Sequence, residues 1–265
     1  MILTVEHVTR YVYDMPMRGL VQSHRLRPSD HDGQTVLDWD VTVTDGLRGG
    51  SFRDGAGDLN ESWSVSGPVS EVEIRVSGRV RTEDRAGVLR GLRETVRPEC
   101  YLRETPFTRP DRELRAMGDA VEGMPELQAA HALAERVARA IVWTPGATDA
   151  GTTAAQALAR GKGVCQDHAH AVIAVARHVG IPARYVSGYL LAENVQDAAH
   201  AWAELYVGGL GWVGFDAANA CCPNANYIRL ASGLDAQDAA PIRGSSRGGG
   251  QETLDVTVAV RQAQQ

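Results

Sequence analysis

The chain has 265 residues, 43% of them hydrophobic and 23% charged, and a formal net charge of −6. This composition fits a globular protein rather than a disordered one, and no apolar run reaches the 18 residues or so of a membrane-spanning helix. Net acidity argues against a general binder of nucleic acid or anionic membrane, and the length accommodates one large domain or two modest ones.

Residues 1–85 read as β structure. Residues 3–13, 35–44 and 70–80 alternate apolar and polar side chains, with Val, Ile, Thr and Trp prominent. Asp32-Gly33, Asp45-Gly46, Asp54-Gly55 and Gly67-Pro68 supply turn signals between them. Strands joined by short turns imply an antiparallel sandwich or barrel. His7, His24 and His31 are scattered here without an acid–base arrangement.

Residues 86–125 form a connector broken by Pro98, Pro106, Pro110 and Pro125, with helical character at 112–117. Cys100 reads as a buried small hydrophobe. Residues 127–142 place Leu127, Ala130, Leu133, Val137 and Ile141 near helical spacing. Thr152-Thr153 introduces a shorter helix at 154–160, ended by Gly161-Lys162-Gly163. A further helix starts near Cys165 and runs to about His178, stopped by Gly180 and Pro182. Strands are expected at 183–191, 200–207 and 211–216, the last two joined across Gly208-Gly209, with a short one at 227–231. Residues 243–250 are glycine-rich and read as flexible or as a tight turn. A last strand at 253–260 is a candidate to return to the first sheet. The expected organisation is a β domain at 1–85, a connector at 86–125, a core at 126–240 and a closing turn and strand at 241–265.

The four cysteines, Cys100, Cys165, Cys221 and Cys222, have neither zinc-ribbon nor disulfide-scaffold spacing. The opening MILTVEHVTRYVY has no basic start followed by an apolar stretch, so no secretion signal is expected. Reduced thiols in the cytoplasm follow as the expectation. Cys165 stands apart, because it enters a helix from a glycine-rich loop. A helix N-terminus carries partial positive charge and free N–H groups, which favour a thiolate and can stabilise an oxyanion. His200 begins one strand of a hairpin and Asp216 ends the other, so the two lie side by side. Cys165, His200 and Asp216 therefore form a candidate nucleophile, base and orienting acid. Asp167 reads as a first-turn hydrogen-bonding group. His168 and His170 lie close to Cys165 in sequence but lack a fourth ligand, so no metal is expected.

Four segments carry a family resemblance. They are Gly163-Val-Cys-Gln-Asp167, Gly180-Ile-Pro-Ala-Arg-Tyr-Val-Ser-Gly-Tyr189, His200-Ala-Trp202 and Trp212-Val-Gly-Phe-Asp216. Together they resemble the transglutaminase-like core of the papain-like thiol enzymes. The opening His7-Val-Thr-Arg-Tyr-Val-Tyr-Asp14, Arg25-Leu-Arg-Pro28 and the ending Arg243–Gly250 are similar to a bacterial subfamily of that group. His168 departs from that subfamily, which usually carries an aromatic there, and Ala217-Ala218 replaces a commoner Pro-Thr.

The resemblance implies an α+β fold, with an antiparallel β-sandwich followed by a papain-like core of helices on an antiparallel sheet. It implies a Cys–His–Asp triad at Cys165, His200 and Asp216, and Trp143, Gln166, Tyr189 and Trp202 are the candidate cleft residues beside it. The implied activity is thioester-forming acyl transfer on a peptide, protein or small amide, with no cofactor. Amine transfer by a protein-glutamine transglutaminase and a catalytically silent peptide-binding module are the alternatives.

Overall fold

The computed structural model describes residues 1–191 and 199–263. The fold is α+β, with two main antiparallel sheets and four α-helices among the described residues. The first sheet is built on two long strands, β1 (Ile2–His24) and β4 (Leu59–Thr82), paired over almost their whole length. Their alternation buries Leu3, Val5, Tyr11 and Tyr13 from β1, and Val72, Ile74, Val76 and Val80 from β4. β2 (Gln34–Val43) and β3 (Gly46–Arg53) pair with opposite halves of β4.

The expected sandwich takes a particular form. Its layers are the two halves of the same long strands, and their inner side chains join one core. The register of β1 shifts between Val12 and Gly19, where the strand passes from one half to the other. Gly67-Pro68 lies opposite, inside β4, so it marks a bend within a strand rather than a turn between strands. Only glycine fits at 67, since a Cβ there would lie 2.3 Å from the Met17 carbonyl oxygen.

The connector adds β5 (Val88–Leu89), a 3-10 turn at Pro98–Leu102 and α1 (Arg112–Asp119). Cys100 is exposed on that turn and not buried as its residue type suggested, because a one-turn element leaves one side in solvent. Then come α2 (Glu126–Ala140), β6 (Val142–Trp143), α3 (Ala154–Arg160), β7 (Lys162–Gly163) and α4 (Cys165–His178). A five-stranded sheet follows, in the order β11-β8-β9-β10-β5. Its remaining strands are β8 (Ala183–Leu190), β9 (Ala199–Val207), β10 (Gly211–Phe215) and β11 (Tyr227–Gly233).

Every residue of α4 from Asp167 to Arg177 is buried, because α1, α2 and α3 cover it on one side and the sheet on the other. Leu133, Val137, Ile173 and Leu205 are fully buried in this core. Each such side chain contributes about 1.5–3 kcal/mol by leaving water.

Two final strands return to the first sheet. β13 (Glu252–Gln262) pairs with the first half of β1, and β12 (Ile242–Arg247) with the second half. Part of the glycine-rich stretch at 243–250 is therefore strand, because pairing with a distant partner supplies backbone order that local composition does not.

The sheets are joined by buried polar contacts as well as apolar packing. Arg229 on β11 reaches Asp58 at 3.0 Å and Glu204 at 2.9 Å, and Arg184 on β8 reaches Glu204 and Glu94, each at 2.6 Å. Burial would raise the Glu204 carboxyl, but Arg229 and Arg184 outweigh it and hold it at about 2. Among the described residues, no helix is long and apolar enough to cross a membrane.

Candidate active site

Gly161 ends α3 in the left-handed conformation, φ 62°, and turns the chain into β7. Gly163 then passes close to the next helix, where a Cβ would lie 2.6 Å from the Asp167 Cβ. Cys165 is the first residue of α4 and a half-buried free thiol.

The first turn of α4 is fixed by its neighbours. Asp167 accepts the Val164 N–H at 2.7 Å and the Thr148 hydroxyl at 2.6 Å. His168 sits between two carbonyl oxygens, Val164 on Nδ1 and Ile141 on Nε2, each at 2.9 Å. These contacts account for both residues without a metal. Among the described residues, no group of three or more His, Cys, Asp or Glu is arranged to hold one. The N–H groups of Cys165 and Gln166 find no acceptor among the described residues, so two donors are free at the helix start.

His200 and Asp216 lie on the β9–β10 hairpin, where Phe215 pairs with Ala203. The strand-end placement expected from sequence brings His200 Nε2 to 2.7 Å from Asp216 Oδ2. That contact leaves Nδ1 as the nitrogen free to serve a nucleophile. The Asp216 carboxylate is 1% exposed and well supplied with donors. Oδ2 also accepts from the Tyr227 hydroxyl and the Asn219 side chain, both at 2.7 Å. Oδ1 accepts from the Ala218 and Asn219 N–H groups at 3.0 and 3.2 Å.

The electrostatics follow from this wiring. Burial alone would lower the His200 pKa, but the hydrogen bond to Asp216, with the Cys165 thiol and the Asp216 charge behind it, raises it from 6.5 to about 10. Burial would likewise raise the Asp216 carboxyl, yet His200, Asn219 and Tyr227 hold it below its usual value. Burial comes first in pushing up the Tyr227 phenol, with the Asp216 charge behind it. Cys221 and Cys222 are pushed up by burial, so neither is an activated thiol.

The cleft candidates separate. Trp143 is 45% exposed on β6, in register with Gly163 and so beside the entry to α4. Gln166 is half-buried and offers its backbone N–H. Trp202 is buried behind the imidazole, its ring stacked 6.5 Å from His200 and edge-on to Tyr227. Tyr189 is not a cleft residue. It is 1% exposed in the core of the first sheet, with its hydroxyl 2.7 Å from His7 Nδ1. The far end of that β8 face is covered by the first sheet and not by α4.

Sequence reasoning missed Tyr227 and Asn219. The signal for Asn219 was local, an Asn three residues past Asp216 in a turn. Tyr227 arrives through β11, and its approach to Asp216 is visible only in three dimensions.

Two family models match this chain. The transglutaminase-like superfamily model covers residues 115–217, and the bacterial transglutaminase-like N-terminal region covers residues 3–81. The chain belongs to the transglutaminase-like superfamily. Cys165, His200 and Asp216 all fall within the matched transglutaminase-like core. A crystal structure of a candidate cysteine protease from Cytophaga hutchinsonii shares this fold. It has a TM-score of 0.74, covers 100% of this chain and 92% of that one, and is 22% identical. An uncharacterized protein of Mycobacterium leprae is 30% identical over 274 residues, spanning 97% of this chain and 98% of the relative. An uncharacterized protein of Mycobacterium tuberculosis is 35% identical over 124 residues, spanning 42% of this chain and 40% of the relative.

Proposed function

We propose that this transglutaminase-like protein is a cysteine-dependent acyl-transfer enzyme acting on amide bonds. The observation that carries the reading is the His200–Asp216 pair at 2.7 Å, with the imidazole drawn up to about 10 beside Cys165. An imidazolium at neutral pH is the counter-ion a thiolate needs. Cys165 Sγ attacks the carbonyl carbon, and the oxyanion takes hydrogen bonds from the free Cys165 and Gln166 N–H groups. His200 gives its proton to the departing nitrogen as the C–N bond breaks, leaving a thioester and an amine. Water then adds to the thioester, His200 accepting its proton. The C–S bond breaks, releasing the acid, and the proton returns to the Cys165–His200 pair. Asp216 holds the imidazole and balances its charge throughout.

Hydrolysis is favoured over amine transfer because transfer needs a site built to exclude water. The expected cleavage agent is a peptidase or amidase of the cytoplasm, with Cys165 kept reduced there.

Iodoacetamide labelling at pH 6 and pH 8, mapped by mass spectrometry, tests the nucleophile. Selective labelling of Cys165 at pH 6, lost in His200→Ala, is the expected result. Equal reaction of all four cysteines, and only above pH 8, overturns it. Incubating peptide amides with and without a primary amine separates the two outcomes of the thioester. A product formed only with the amine overturns the hydrolase reading.

A further inference from the structure

The small sheet beside the nucleophile has an unused edge. β6 and β7 run parallel, with Val142 opposite Lys162 and Trp143 opposite Gly163. The Val142 N–H donates to the Gly161 carbonyl at 2.9 Å, and the Thr144 N–H to the Gly163 carbonyl at 2.8 Å. In a parallel ladder, the residue between two such donors turns its own N–H and C=O to the other side. For β6 that residue is Trp143. The sheet has only these two strands, so among the described residues no strand receives those groups.

This edge is also apolar and held firmly. The Val142 and Trp143 side chains are 62% and 45% exposed. The Ile141 carbonyl, just before β6, accepts from His168, and Thr148, in the turn beyond it, donates to Asp167. Both partners lie in the first turn of α4. The edge is thus pinned from either side to the turn that presents Cys165, and its register partner Gly163 lies two residues before the thiol. An open, apolar strand edge invites pairing with another chain, and proteins commonly cover or blunt it unless it has a use.

We propose that the acyl donor is an extended polypeptide whose backbone adds to β6 as a third strand, pairing with the N–H and C=O of Trp143, rather than a free small amide. This inference rests on the acyl-transfer reading above and specifies its substrate. Main-chain pairing of this kind reads extended backbone and leaves alternate side chains to set preference. One substrate residue exchanges both its hydrogen bonds with Trp143, and its neighbours lie over Val142 and the indole. A small amide reaches the thiol but makes neither bond.

The test compares electrophiles on the full chain. A capped tetrapeptide chloromethyl ketone, the same reagent N-methylated at each position in turn, and iodoacetamide are timed against Cys165 by intact mass and peptide mapping. The unmodified peptide reagent is expected to be at least about tenfold faster than its slowest N-methyl derivative, with the loss confined to one position. Trp143→Pro removes the outward N–H, which β7 does not use, whereas Trp143→Ala keeps it. N-methylation removes the substrate N–H that donates to the C=O of residue 143, which both variants keep, so its loss is expected to persist in both. The unmodified reagent is expected to slow more in Trp143→Pro, which lacks the N–H that the substrate C=O accepts from, than in Trp143→Ala. A flat N-methyl series on the wild-type chain, with iodoacetamide still selective for Cys165, overturns this inference and leaves the enzyme reading standing. Failure of iodoacetamide to select Cys165 overturns the enzyme reading itself.

Discussion

Tyr227 donates its hydroxyl to the same Asp216 oxygen that His200 engages, each at 2.7 Å. One buried carboxylate oxygen thus ties β11 to the imidazole. Removing the phenol hydrogen bond in Tyr227→Phe is expected to cost about 1.5–3 kcal/mol at pH 7, as for a hydrogen bond to a charged group. That bond favours the ionised Asp216, so the difference from wild type narrows as pH falls through the depressed Asp216 range. Urea unfolding of both proteins between pH 7 and pH 2 measures it.

Asp216→Asn keeps the shape and removes the charge. It is expected to abolish acyl transfer and to cost about 3–5 kcal/mol near pH 6, the scale for breaking a buried pair. The wild-type His200 pKa stands at about 10 against an ordinary 6.5. A raised value stabilises the fold fully below pH 6.5 and loses that contribution as pH climbs through about 10. The stability gap between wild type and Asp216→Asn therefore narrows over that interval. Unfolding at pH 6, 8 and 10 reads the gap, and NMR of the His200 ring reads the proton directly.

His168→Phe restores the aromatic usual in the bacterial subfamily but strips the Ile141 carbonyl of its donor. The expected cost is about 1–3 kcal/mol, for a buried acceptor left unpaired. Cys165 alkylation should slow with it, because the first turn of α4 loses one of its ties. Thermal unfolding and iodoacetamide kinetics, run in parallel, check both parts.

The second sheet depends on residues 1–85 for part of its burial. Tyr189, Ile228, Leu230 and Ala231 of the second sheet belong to the core of the first. Asp58 supplies Arg229, the Ser232 N–H and the Ser232 hydroxyl with their acceptor. A protein starting near residue 90 is expected to be insoluble. Asp58→Ala in the full chain should cost about 3–5 kcal/mol. Expression trials and urea unfolding measure the two effects.

Local signals were legible where the chain's own neighbours decide the structure. The helix at Ala154–Arg160 and the one beginning at Cys165 follow from a capping Thr153 and from Gly161, and both fall where the sequence puts them. The His200–Asp216 approach follows from hairpin geometry alone. What stayed hidden depends on partners distant in sequence. Arg243 reads as loop from local composition but pairs with Ser23, and Tyr189 reads as a cleft residue but is covered by the first sheet. Tyr227 lay outside any motif, because its partner Asp216 belongs to another strand end.

The pairing of β1 with β12 and β13 carries a consequence for timing. β1 leaves the ribosome well before residues 242–262, which form one of its two flanks. Until those residues emerge, that 23-residue strand presents a vacant edge. Non-local pairing of this sort folds slowly and exposes the nascent chain to misassociation. The burden of keeping this protein soluble therefore falls on the interval before β12 and β13 emerge, and it is there that a holding chaperone would matter most.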